Sequence, residues 1–80
     1  MVEGVTMYNH AAAITPSDTV SLSAPTRAIF CGGAGNIAFV SEAGDAAVTL
    51  VGCLAGHVYH VAAMRVNATN TTATNLVALW

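Results

Sequence analysis

Cys31, Cys53, His57 and His60 are the side chains of this 80-residue chain whose types could together make a metal site or pair a nucleophile with a base. Two thiolates and two imidazoles form a familiar zinc ligand set. Their spacing argues against that use, because strong sites bring ligands in as close pairs and neither cysteine has a near cysteine partner. His57 and His60 stand three positions apart, so on one strand they point to opposite faces. The expectation is two buried thiols and two polar histidines at a sheet rim or interface. A Cys31–Cys53 disulfide is conceivable on neighbouring strands, but a cytosolic origin favours reduced thiols.

The remaining chemical motifs also read as structure. Gly32, Gly33 and Gly35 would cradle a phosphate only if a helix followed. Asn36-Ile37-Ala38-Phe39-Val40 follows instead and is strand-like, so the glycines read as a hairpin turn. Asp18 lies in the cluster Ser17-Asp18-Thr19, where a carboxylate accepts backbone N–H groups of a turn. Asn67-Ala68-Thr69 and Asn70-Thr71-Thr72 match the glycosylation pattern, which has meaning only in a secreted eukaryotic protein. No GxSxG elbow marks a nucleophile, and a chain of this length has little scaffold to enclose an enzyme-sized pocket. No catalytic residue, cofactor or metal is expected, and the protein is not expected to be an enzyme.

Composition narrows the partners. Hydrophobic residues make up 55% of the chain and charged residues 8%, with Arg27 and Arg65 as the basic side chains and a net charge of −2. An average soluble domain carries about 25% charged residues. So little charge implies that other protein covers much of the surface, since obligate interfaces have this apolar character. Two arginines leave no basic footprint for nucleic acid. The most apolar window, residues 43–64, is broken by Asp45, Thr49, His57 and His60, so no membrane span is expected. Met-Val-Glu-Gly shows no basic region followed by an apolar one, so synthesis in the cytosol is expected.

The elements that must carry these residues are short strands. Residues 27–31, 37–41 and 47–51 are apolar runs separated by glycine-containing turns, the spacing of an antiparallel meander. Strands are also expected at 11–15, where Pro16 holds Thr15 extended, at 20–22, at 57–66 and at 76–80. Neither face of the meander alternates to polar, so both faces should be covered, one by the core and one by a neighbouring subunit. Residues 67–75 are Asn, Thr and Ala, which suits an exposed loop or a strand edge with threonines outward. The fold expected is all-β, a small antiparallel β-sandwich or barrel of six to eight short strands. Residues 1–10 form an extended N-terminal arm that docks on a partner, and residues 11–80 form a single β domain.

Several segments are more specific. Ile14-Thr15-Pro16-Ser17-Asp18-Thr19, Pro25-Thr26-Arg27-Ala28-Ile29-Phe30 and the ending from Arg65 through Thr71-Thr72-Ala73-Thr74 to Trp80 resemble, in that order, the head-spike base proteins of gene transfer agents and their relatives in tailed phages. Ala55-Gly56 stands where that family has its second turn. Cys53-Leu54 replaces a proline-containing approach to it, Trp80 replaces a tyrosine, and the first ten residues match nothing. The resemblance implies a virion structural protein on the capsid exterior, made in the bacterial host cytoplasm. It would be an oligomeric decoration (cement) protein or a vertex head-spike base that stabilises the capsid or anchors a fibre. The implied partners are the major capsid protein, further copies in a trimer or pentamer, and a spike or fibre protein. Met7, Tyr8, Arg27, Phe30, Phe39, Tyr59 and Trp80 are the expected interface residues. The alternative is a small host-attachment module whose Tyr8, Tyr59 or Trp80 stacks on a carbohydrate or receptor. Six per cent aromatic residues is meagre for that role.

Overall fold

Short β-rich runs broken by glycine and asparagine cannot build long strands, and the chain forms seven brief ones. The computed structural model describes residues 8–80. Within them lie β1 (Ala11–Ala13), β2 (Ala28–Cys31), β3 (Gly35–Val40), β4 (Val48–Cys53), β5 (His57–Tyr59), β6 (Arg65–Val66) and β7 (Val77–Leu79). They make two antiparallel sheets, ordered β1-β7-β2-β5 and β4-β3-β6, in a sandwich-like arrangement. The expected all-β class is what the chain adopts. Residues 1–7 of the expected arm lie outside the described residues. His10, within the arm, exchanges two backbone hydrogen bonds with Trp80, 2.7 and 3.0 Å long, and so extends the β1–β7 ladder.

The meander expected across residues 27–51 is half right. β3 and β4 do form a hairpin, with Phe39 opposite Val48 and Ile37 opposite Leu50. Its turn uses Gly44 at φ 87 and an Asp45 N–H donating to the Glu42 carbonyl. β2 and β3, however, belong to different sheets and do not pair. They are two halves of one bent strand that runs beside a second bent strand. Ala28 to Phe30 pair with Leu79 to Val77, Gly33 bridges Thr74, and Phe39 and Val40 pair with Val66 and Arg65. The glycine segment is therefore the corner where this ribbon folds from one sheet to the other.

Two further expectations change for the same reason. The long strand expected at 57–66 splits into β5 and β6, because residues 60–64 cross between the sheets. Residues 20–22 form no strand. The stretch from Ser17 to Leu22 touches β6 and its approach through two backbone bonds, Ser17 N–H to Val66 and Leu22 N–H to Met64.

The core lies between the sheets and follows strand parity. Ile29 and Cys31 from one sheet meet Ile37, Phe39 and Val66 from the other, with Leu76 and Ala78 beside them. Full burial of each large aliphatic stabilises the fold by about 1.5–3 kcal/mol. One polar side chain is buried among the described residues. Thr26 Oγ1 donates to the Val61 carbonyl at 2.8 Å and accepts from the Ala63 N–H at 3.0 Å, while its own N–H donates to the Ala63 carbonyl. Met64 N–H donates to Val40 at the same crossing, so the start of β2 and the end of β3 meet at one end of the molecule. Replacing Thr26 by valine keeps the shape but orphans a buried N–H and a partly buried C=O. A loss of about 1–3 kcal/mol is expected in urea unfolding, with the native fold retained.

Candidate functional site

The surface, not a cleft, carries the candidate site. Parity places Ile29, Cys31, Tyr59 and Ala78 of the first sheet toward the core. The opposite face then belongs to Ala11 and Ala13 of β1, Val77 and Leu79 of β7, Ala28 and Phe30 of β2, and Val58 of β5, which stand in register with one another. Every one of these side chains is hydrocarbon. Ala11, Ala13 and Val58 are exposed, Phe30, Val77 and Leu79 are half-buried, and Ala28 is fully buried. A solvated antiparallel sheet normally alternates to polar on its outer face, and this one does not.

The second sheet differs. Thr49 and Arg65 share its outer side with Ala38 and Val40. Arg65 Nε donates to Asn67 Oδ1 at 2.8 Å. A bulge in β4 near Gly52, at φ 77, leaves Val51 78% exposed. Val48 and Leu54 are exposed along the same edge. β4 and β5 are outermost in their sheets, so a row of apolar side chains marks this open side of the sandwich.

The polar Thr/Asn segment between β6 and β7 replaces a strand along β3. Thr71 Oγ1 accepts the Ala38 N–H at 2.9 Å, Thr72 Oγ1 accepts the Asn36 N–H at 2.9 Å, and the Thr72 and Ala73 N–H groups both donate to the Asn36 carbonyl. The two hydroxyls thus turn inward to the β3 backbone, whereas the strand-edge reading had threonines outward. Asn70 and Asn75 take left-handed φ of 69 and 54, which asparagine tolerates better than most residues. Asp18 clamps this segment from across the chain. Its Oδ1 accepts the Thr69 N–H at 2.9 Å and its Oδ2 accepts the Thr69 hydroxyl at 2.6 Å.

Each expected interface residue can now be placed. Met7 lies outside the described residues. Tyr8 is half-buried, its ring 6.3 Å from that of His60, and its buried hydroxyl finds no partner among the described residues. Trp80 stacks on His10 at 5.5 Å and also packs against the core. Tyr59 packs against the core as well, and its hydroxyl accepts the Leu54 N–H at 2.7 Å. Phe39 is a core residue. Arg27 is exposed at the start of β2, and Phe30 lies on the apolar outer face. The face thus brings Phe30 together with Ala11, Ala13, Val58, Val77 and Leu79, which the sequence reading did not name. The signal was available in part: the positions of β1, β2 and β7 are apolar on both sides.

The cysteines sit as free thiols in the core. Cys31 Sγ donates to the Gly33 carbonyl at 3.2 Å. Burial pushes the Cys53 thiol up from its ordinary value, and proximity to Cys31 adds to this. A thiol so placed is a poor nucleophile. Among the described residues, no group of three His, Cys, Asp or Glu side chains is arranged to hold a metal.

No protein-family model matches this sequence, and comparison with curated proteins finds no match. Among solved structures, the chain is similar to a protein chain in the capsid of a native gene transfer agent particle computed with C5 symmetry. The two share 32% sequence identity and superpose with a TM-score of 0.83, over 94% of this chain and 86% of that one.

The Asp18 clamp has a definite pH dependence. Hydrogen bonds from the Thr69 hydroxyl, and then from the Thr69 N–H, hold its carboxyl below the ordinary value of 3.8. A carboxylate lowered on folding contributes stability that is present above its unfolded value and lost as pH falls through the folded value. The Thr69 amide proton shift, followed by NMR, should titrate with a midpoint below 3.8. In Asp18→Asn that titration should vanish.

Proposed function

Since the chain belongs to the same family as this gene transfer agent capsid protein, we propose that it is a virion structural protein on the outer surface of an icosahedral capsid. It serves there as a decoration (cement) protein or as the vertex base of a head spike, stabilising the shell or anchoring a fibre. The carrying observation is the match over 94% of the chain at 32% identity. Its partners are the major capsid protein, further copies of itself and, at a vertex, a spike or fibre protein.

Physical chemistry supports this reading. A subunit working in isolation keeps itself soluble with surface charge. This chain instead leaves one sheet face hydrocarbon and lines an open edge with Val48, Val51 and Leu54. Such surface is stable in water once other protein covers it. A structural role of this kind requires no catalytic centre. The N-terminal arm supplies a further contact in this scheme, reaching the shell or a neighbouring copy.

The test is co-sedimentation of the purified protein with empty capsids, paired with native mass spectrometry of the free protein. Binding that saturates at a fixed copy number per capsid is expected. A trimer assigns the threefold cement position and a pentamer assigns the vertex. Failure to sediment with capsids overturns the reading. Removal of residues 1–10 should weaken capsid binding at least about tenfold, the effect of losing roughly 1.4 kcal/mol. Unchanged binding would remove the arm from the interface.

A further inference from the structure

The two sheets have β1, β5, β4 and β6 as their outer strands, and all but β1 are guarded against further pairing. The free edge of β6 is taken up by residues 17–22, through the Ser17 and Leu22 N–H groups. β5 is short, and its flanking turns use its own edge. There the His57 N–H donates to the Leu54 carbonyl, and the Tyr59 carbonyl accepts from the Val61 N–H. β4 carries the bulge near Gly52, a device that bends an edge away from partners. β1 has no such protection. Its ladder with β7 runs unbroken from His10 opposite Trp80 to Ile14 opposite Leu76. Antiparallel bonds pass through alternate residues. His10 exchanges both of its bonds with Trp80, and the Ile14 N–H donates to Leu76, so Ala12 is the bonded position between them. The N–H and C=O groups of Ala11 and Ala13 therefore point away from β7. None of the described residues takes them up, and Ala11, Ala12 and Ala13 are all exposed. No Asp, Glu, Lys, Arg or Pro stands between Asn9 and Thr15 to guard this edge.

We infer that β1 pairs edge to edge with β1 of a second copy, antiparallel and in register about Ala12, joining two first sheets into one continuous sheet. The segment is its own complement in that register. Ala11 of each copy lies opposite Ala13 of the other, and the outward N–H and C=O groups of both residues bond across the junction. Ala12 meets Ala12 at the closer, non-bonded spacing, about 4.5 Å between Cα atoms, which two methyl groups fit. The flanking side chains leave the junction clear, since His10 stacks on Trp80 and Ile14 is buried. The composition of β1 selects the second copy as occupant. A matching strand needs small uncharged side chains at three successive positions, with outward bonding groups on the first and third. β1 itself has that pattern, whereas β4 and β5 present Val48, Leu50 and Tyr59 on interrupted edges. The inference is independent of the virion reading, because edge pairing leaves the hydrocarbon outer face uncovered and merely places two such faces side by side.

A contact this small is weak, as interfaces burying less than about 1,200 Å² generally are. The experiment is therefore sedimentation velocity of the full-length chain across a concentration series reaching the millimolar range. Association by doubling is expected: monomer to dimer or, where other contacts already build a ring, ring to double ring. Ala13→Pro removes an outward N–H but leaves the β1–β7 bonds through Ala12 in place. The loss falls twice in a twofold pair, so Kd should rise about tenfold or more, with an unchanged β circular-dichroism spectrum. Two charge variants test the register. Ala11→Lys with Ala13→Lys sets like charges opposite one another and should abolish doubling at low salt. Ala11→Glu with Ala13→Lys sets opposite charges together and should keep Kd within about threefold of wild type. A wild type that does not double, an Ala13→Pro variant that doubles normally, or two charge variants that behave alike would each overturn the inference. Capsid binding lost in Ala13→Pro while self-association persists would assign the edge to a strand of the shell and sink this inference alone. Doubling through β1 in a protein that ignores capsids would instead sink the virion reading alone.

Discussion

Backbone meets backbone at the corner of this sandwich with no side chain between. A Cβ on Gly33 would overlap the Thr74 side chain, one on Gly32 would lie 2.6 Å from the Asn75 carbonyl oxygen, and one on Gly35 would lie 2.5 Å from the Ala73 nitrogen. Real Cβ atoms do not tolerate such contacts, so three near-adjacent positions must be glycine for the two bent strands to stay paired through the fold. The rest of the architecture depends on that pairing. Once the ribbon of residues 28–40 and 65–79 is folded over, its inward side chains face one another and become the core. β4 adds to one half, and β1 and β5 add to the other.

The ribbon also accounts for an otherwise odd stretch of sequence. A segment rich in Asn and Thr is too polar to bury and too branched for a helix. Beside β3 it need do neither, because hydroxyls of Thr71 and Thr72 satisfy the N–H groups of Ala38 and Asn36 where backbone partners would otherwise stand. The unpaired donors of β3 are met without a regular strand. At the opposite end Thr26 does comparable work inside the core, holding the crossing chain by three hydrogen bonds. In each case a hydroxyl on a β-branched residue binds a backbone that has left its ladder.

With the interior completed in this way, most of the remaining apolar side chains are left on the outside. The first sheet's outer face has no polar position, and β4 leaves an apolar edge through Val48 and Val51. That distribution suits a component of a larger assembly, where neighbours supply the covering that solvent-facing charge supplies elsewhere. The family to which the chain belongs includes a protein of a capsid particle, and the surface is physically of that kind.

Much of this was legible in the residues themselves. Period-two runs with Val, Ile and Phe, interrupted by Gly, Asn and Pro, determine short strands and an all-β fold, because those side chains favour a pleated, half-buried backbone. The scarcity of charge points to a surface suited to cover by other protein, and the hairpin of β3 and β4 follows from local turn chemistry alone. Tertiary structure decided the rest. A glycine cluster between two apolar runs fits a hairpin as well as a corner, and only the approach of residues 72–75, some 40 positions away, selects the corner. Which face of each strand turns inward, and why Phe39 is core while Phe30 is only half-buried on the outer face, depend on that distant pairing. Local sequence sets the period of the side chains. The hand that places them inside or out belongs to the strand across the ladder.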